Sequence, residues 1–163
     1  MDQAGLLELL GKGIATGERA AAAEDVLTRA EFGFLGMPGE GWAYVVPISF
    51  AYADGTVYFH GGGHLKASLL ESEHVTCLSV LADPRLRVAG DDPCRDDFTY
   101  ESVLAFGVPR QAVREEREAA LRVIVAKYHP DAAMAPLDAK VFARTSVYVM
   151  KVLALTYKSR LRD

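Results

Sequence analysis

Several things are scarce in this 163-residue chain. It has two cysteines, Cys77 and Cys94, with no CxxC pair and no HExxH helix, so the common zinc frameworks are excluded. Cys77 lies in the apolar run Val75–Val80 and Cys94 in an acidic stretch from Asp91 to Asp97, which reads as two free thiols. No apolar run approaches the roughly 20 residues that cross a bilayer. The first residues, Met1-Asp2-Gln3-Ala4, carry no basic segment ahead of Leu6–Leu10, so no secretory leader is expected and the cytoplasm is the default. Basic residues are outnumbered, 18 to 22, for a net charge of −4, which argues against a general nucleic-acid binder. There is one tryptophan, Trp42, and no nucleophile–base triad or carboxylate pair stands out.

What is present is ordinary for one globular domain over 1–163: half the residues are hydrophobic and a quarter charged. Leucine spacing predicts a helix over 4–12, and an alanine-rich pattern a second over 18–30, together a helical N-terminal extension. Strands are then predicted at 31–37, 42–52, 56–60, 74–82, 98–112 and 141–157. Asp54-Gly55 marks a tight hairpin and Pro38-Gly39-Glu40-Gly41 a wider turn. A further helix over 114–128 ends at His129-Pro130. The fold class is mainly β (α+β by content): a six-stranded antiparallel barrel with peripheral helices.

One segment carries chemistry. Thr56–His60 reads as a strand; Gly61, Gly62 and Gly63 follow, then His64, Leu65 and Lys66, and a helix to about Glu73. Glycines allow backbone N–H groups to approach a ligand, and a lysine supplies charge beside them, so a phosphate is the natural guest. Lys66 is the candidate point charge, with a solvated helix lysine as the alternative. His60, ending an apolar strand, is expected at a pocket mouth, as a phosphate, flavin or substrate contact, or else as a packed histidine. His64 either joins the turn or faces water. Trp42 and Tyr44 read as core or interface before they read as ring-stacking residues.

Three segments resemble a known family. Trp42–Phe50, Val57–Leu70 and Tyr100–Gly107 are similar, in this order and spacing, to the FMN-binding split barrels related to pyridoxamine 5′-phosphate oxidase. Within them the chain looks like the nitroimidazole-resistance (Nim) type proteins. The resemblance covers roughly residues 20–157 and implies a six-stranded split barrel paired as a homodimer, with two FMN molecules in the seam. It places Val46, Pro47, Ile48 and Ser49 along the flavin, and His60, Gly61, Gly62, Gly63, His64 and Lys66 around its phosphate. Tyr100 and Ser102 fall near the flavin or the dimer seam, and His60 is the catalytic candidate. It implies an FMN-dependent oxidoreductase taking electrons from a nicotinamide for a small acceptor such as a nitro compound. A non-turning-over flavin protein, a haem protein and a deazaflavin protein stay as alternatives.

The departures carry information too. The oxidases' phosphate turn reads roughly Thr-x-x-x-Ser-Arg-Lys; here His60, His64, Leu65 and Lys66 stand at those positions. Val46 replaces a strand arginine, and the tail Tyr157–Asp163 lacks the Trp and Arg-rich substrate motif. These changes point away from vitamin B6 chemistry.

Overall fold

A computed structural model describes residues 3–161, leaving aside the side chains of residues 3, 64, 65 and 93. Helix α1 (Gln3–Leu10) stops at Gly11, whose positive φ of 46° breaks it into a single 3-10 turn, short of the predicted end. Helix α2 spans Glu18–Arg29. Six strands follow: β1 Phe32–Pro38, β2 Ala43–Ala53, β3 Thr56–His60, β4 Thr76–Arg87, β5 Asp97–Gln111 and β6 Val147–Ser159. Helix α3 (His64–Leu70) links β3 to β4, and α4 (Glu115–Tyr128) with α5 (Ala139–Arg144) lies between β5 and β6. Every pairing is antiparallel, and β1 pairs with β4 to close the ring in the order β1-β2-β3-β6-β5-β4. Among the described residues no helix is long and apolar enough to cross a membrane.

The alternation of the strands builds the core. Leu35, Met37, Ile48, Phe50, Val57, Phe59, Leu78, Val80, Val103 and Met150 point inward and are buried. Phe59 stacks on Tyr148, ring centroids 5.4 Å apart. The helix α2 adds Ala23, Val26 and Leu27 to this cluster, and α3 adds Leu70. The two helices sit at opposite ends of β2: Trp42 shares a cleft with Ser68 of α3, while Tyr52 shares one with Glu24 of α2. Outside the barrel, Ala120 and Ile124 of α4 pack on Ala51, Val147 and Val149 as a second cluster. The β2–β3 hairpin turns at Asp54 and Gly55, both at positive φ, as the Asp-Gly pair predicts.

Two segments differ from the sequence reading. The predicted strand over 141–157 begins only at Val147, because residues 139–144 form α5. Asp138 caps that helix, its Oδ1 accepting from the backbone N–H groups of Lys140 and Val141, both at 2.9 Å. Arg117 of α4 then holds the carbonyls of Phe142 and Thr145 and lies 4.3 Å from the Phe142 ring centroid. Strand β4 continues past the predicted end at 82 to Arg87, through an irregularity between Ala82 and Arg85 where Asp83 has φ 49°. The Asp83-Pro84 pair forms a bulge within a longer ribbon.

Candidate functional site

The ladder between β2 and β3 stops at Phe50–Phe59. Beyond it β2 runs on from Ser49 back to Ala43, paired on one side with β1 and on the other with no strand. That open edge is what splits the barrel. Strand geometry decides which groups face it. The Phe50 N–H donates to the Tyr128 hydroxyl at 3.0 Å on the β1 side, and that hydroxyl shares its one proton between the Glu31 carbonyl and the Phe50 carbonyl, the latter at 2.9 Å. Alternate residues aim their backbone groups to opposite edges, so Ser49, Pro47 and Val45 turn theirs to the open side. Pro47 has no N–H to lose there, which explains a proline inside an 11-residue strand.

The foot of this edge is the glycine turn. Gly61 follows β3 directly, and its N–H donates to the Ser146 carbonyl at 3.1 Å, so this amide is already used and cannot cradle an anion. Gly61 matters for a different reason. A Cβ placed on it would lie 2.1 Å from Lys66 Nζ, so the lysine folds back onto the glycine. Gly63 caps α3 at φ 109°, a conformation that other residues rarely adopt, while a Cβ on Gly62 would meet nothing within 4 Å. The half-buried Lys66 ammonium makes no hydrogen bond or ion pair among the described residues, and burial lowers its pKa from the ordinary lysine value. A half-buried cation with no counter-charge among the described residues can hold an anion.

The other expected residues are placed as follows. Ser49 and Pro47 are exposed on the outer face, opposite Phe32 and Phe34 of β1. Ile48 is buried and the Val46 side chain packs against the core, and the backbones of both turn to β1, opposite Gly33 and Leu35, so neither residue offers a group to the open edge as expected. His60 is exposed on the outer face of β3 beside Tyr58, opposite Val147, because the inward positions fall to Val57 and Phe59. The His64 side chain lies outside the described residues. Tyr100 and Ser102 line the outer face of β5, with Lys158 Nζ 5.8 Å from the Tyr100 ring centroid. They are not gathered with the rest. From β2 to β5 through β1 and β4 is three strand spacings, about 14 Å.

Two contributors went unread in the sequence. One is Tyr128, whose hydroxyl holds β2 where the open edge begins. The other is Lys127, with Nζ 2.6 Å from the Ala30 carbonyl and 4.2 Å from the Phe50 ring centroid. Burial pushes its pKa down to about 8. Their place at the C-terminal end of a helix before His129-Pro130 gave no sign of this role.

A family profile described as Pyridoxamine 5′-phosphate oxidase matches residues 19–159, and the chain belongs to that family. No curated protein matches it. Among solved structures it is similar to a proposed 5-nitroimidazole antibiotic resistance protein from Bacteroides thetaiotaomicron, at 24% identity and TM-score 0.73, covering 86% of this chain and 84% of that one. It is similar to the flavocytochrome Anf3 from Azotobacter vinelandii, at 24% identity and TM-score 0.72, covering 91% and 69%. It is also similar to an FAD and heme binding protein from Mycobacterium smegmatis, at 18% identity and TM-score 0.74, covering 91% and 74%. At these identities the likeness establishes the fold.

Proposed function

We propose that the chain is a flavoprotein that binds FMN and passes electrons from a reduced nicotinamide to a small acceptor, a nitro compound among the candidates. The observation that carries this reading is Lys66, a half-buried cation without a partner among the described residues, at the foot of a strand edge that the barrel leaves open. The residues fit the cofactor. Lys66 would hold the phosphate, with Gly61 making room for the ammonium. The backbone groups of Val45, Pro47 and Ser49 offer a row of acceptors and donors of the kind a flavin ring edge takes. Family membership, and neighbours described as a flavocytochrome, an FAD and heme binding protein and an FAD-binding protein, support a flavin as the cofactor. The flavin supplies the redox chemistry when bound, so the protein's task is to bind it, orient it and leave one side open to small molecules. His60, exposed next to the turn, is the catalytic candidate in this reading.

The seam is part of the proposal. Phe32, Phe34, Val45 and Leu81 are each about half exposed on the outer face of β1, β2 and β4, with the Phe32 and Phe34 rings edge-to-face at 6.1 Å. A second copy of the chain would cover this face, with Tyr100 and Ser102 near the flavin or the seam as the family resemblance implies.

The deciding measurement is the visible spectrum of the purified protein, followed by FMN titration of the wild type and Lys66→Ala. Flavin bands, and a weakening of FMN binding by about 1–3 kcal/mol in the variant, are expected. A Soret band in place of flavin bands, or an unchanged FMN affinity, rejects this site. Steady-state NADH oxidation no faster than with free FMN would reduce the protein to a flavin carrier.

A further inference from the structure

A cleft of about 510 Å3 lies between the β1–β2 hairpin and α3, with Glu40, Trp42, Ser68, Leu69, Ser72 and His74 among its walls. It plays no part in the flavin reading above. Its aromatic wall is fixed. A Cβ on Gly39 would fall 2.4 Å from the Trp42 indole, so the ring rests directly on that glycine. The Gly39 N–H donates to the Trp42 carbonyl at 2.9 Å and closes the turn beneath it. Tyr44 meets the indole edge-on, centroids 6.1 Å apart. The outcome is a preformed shelf, 47% exposed, for a planar ring.

The polar groups around the shelf share one character. His74 Nδ1 lies 2.7 Å from the Ser72 carbonyl, which can only accept, so Nδ1 carries a proton and donates to it. The Ser72 hydroxyl spends its proton on the Leu69 carbonyl at 2.6 Å. The Glu40 carboxylate makes no hydrogen bond or ion pair among the described residues. Among the described residues no lysine or arginine lines the cleft. Acceptors beside an aromatic shelf, without a fixed cation, disfavour a phosphate or carboxylate inside and favour a neutral ring bearing N–H donors. The cation is elsewhere on the same helix: Lys66 lies two residues before Ser68, and α3 is seven residues, about 10 Å, long.

We propose that this cleft binds the adenine base of a dinucleotide, stacked on Trp42 with its exocyclic amino group donating to Glu40. Two carriers share that base, FAD and a nicotinamide dinucleotide. The inference rests on the flavoprotein reading only for naming these carriers.

Trp42 is the single tryptophan, so its emission reports on the cleft directly. Titration with 5′-AMP is expected to change that emission saturably. Glu40→Gln, an exchange on an exposed turn, is expected to weaken AMP binding about tenfold while FMN affinity, read from flavin fluorescence, stays as in the wild type. FAD binding tighter than FMN in the wild type, and no tighter in Glu40→Gln, would assign the base to FAD. Loss of NADH affinity in the FMN-loaded variant would assign it to the nicotinamide dinucleotide. Trp42 emission indifferent to AMP, FAD and NADH, in protein that binds FMN, overturns the proposal. So does a Glu40→Gln variant that binds all three as the wild type does. Failure to bind FMN with the AMP response intact overturns the flavin reading and leaves the adenine cleft standing.

Discussion

At the scale of single residues, two glycines separate function from stability. Gly61→Ala would drive a methyl into Lys66 Nζ, the free end of a flexible side chain. The chain has only to swing the ammonium aside, so the denaturation midpoint is expected to hold within about 0.5 kcal/mol. FMN affinity is expected to fall several-fold, because the displaced ammonium is the proposed phosphate contact. Gly107→Ala is the opposite case. Its Cβ would lie 2.5 Å from the Lys151 carbonyl and 2.6 Å from Met150 Cγ, beside the irregularity between Phe106 and Gly107. Backbone cannot step aside so cheaply, and a loss of about 1–3 kcal/mol or more is expected in urea denaturation. The sequence marked the three glycines after His60 as a turn that admits a ligand. It did not reveal that one serves a lysine, one a positive φ, and the third neither, because that difference comes from where Lys66 folds.

At the scale of elements, β2 and the end of α4 act as a unit. The Tyr128 hydroxyl serves the Glu31 carbonyl and both backbone groups of Phe50, partners that Tyr128→Phe would leave unmet. The expected cost is about 1–3 kcal/mol with an unchanged dependence on denaturant concentration. Next to it, Lys127 has a pKa near 8 in the fold against the ordinary 10.5. Between those values the unfolded chain binds more protons than the folded one, so stability rises with pH. Lys66 acts in the same sense, while Cys77, pushed up to about 11 by burial, opposes it once the pH passes 9, and Tyr52, pushed up to about 12, once the pH passes 10. Between pH 8 and 9 the wild type is therefore expected to gain stability, and Lys127→Met to gain less; equal slopes in the two proteins would reject this assignment. Strand periods and the Asp-Gly turn made most of β1 to β5 legible in advance. Helix α5 was not, since Val141 and Phe142 pass for strand residues unless the Asp138 cap is weighed against them.

At the scale of the whole molecule, the half-exposed Phe32, Phe34, Val45 and Leu81 call for a partner surface. Sedimentation is expected to show a dimer for the wild type and a monomer for Phe34→Asp. A monomeric wild type would leave Tyr100 and Ser102 without a flavin to meet. The three matching segments, taken together, made the barrel legible. The site was legible only in part: side chains on β2 alternate between core and surface, and which of its edges stays open depends on where β3 ends.

The position of β6 has a consequence for synthesis. It is the last strand of the six in the chain, yet it is hydrogen-bonded between β3 and β5. A ribosome delivers residues in order, at roughly 5–20 per second. Until Val147–Ser159 has emerged, β3 and β5 each wait with an unmatched side, and the barrel core lacks Tyr148 and Met150. The nascent chain therefore spends its vulnerable interval as an open sheet. A C-terminal truncation that reaches β6 should be seen first as chaperone retention and degradation in the cell, ahead of any measurable change in cofactor binding.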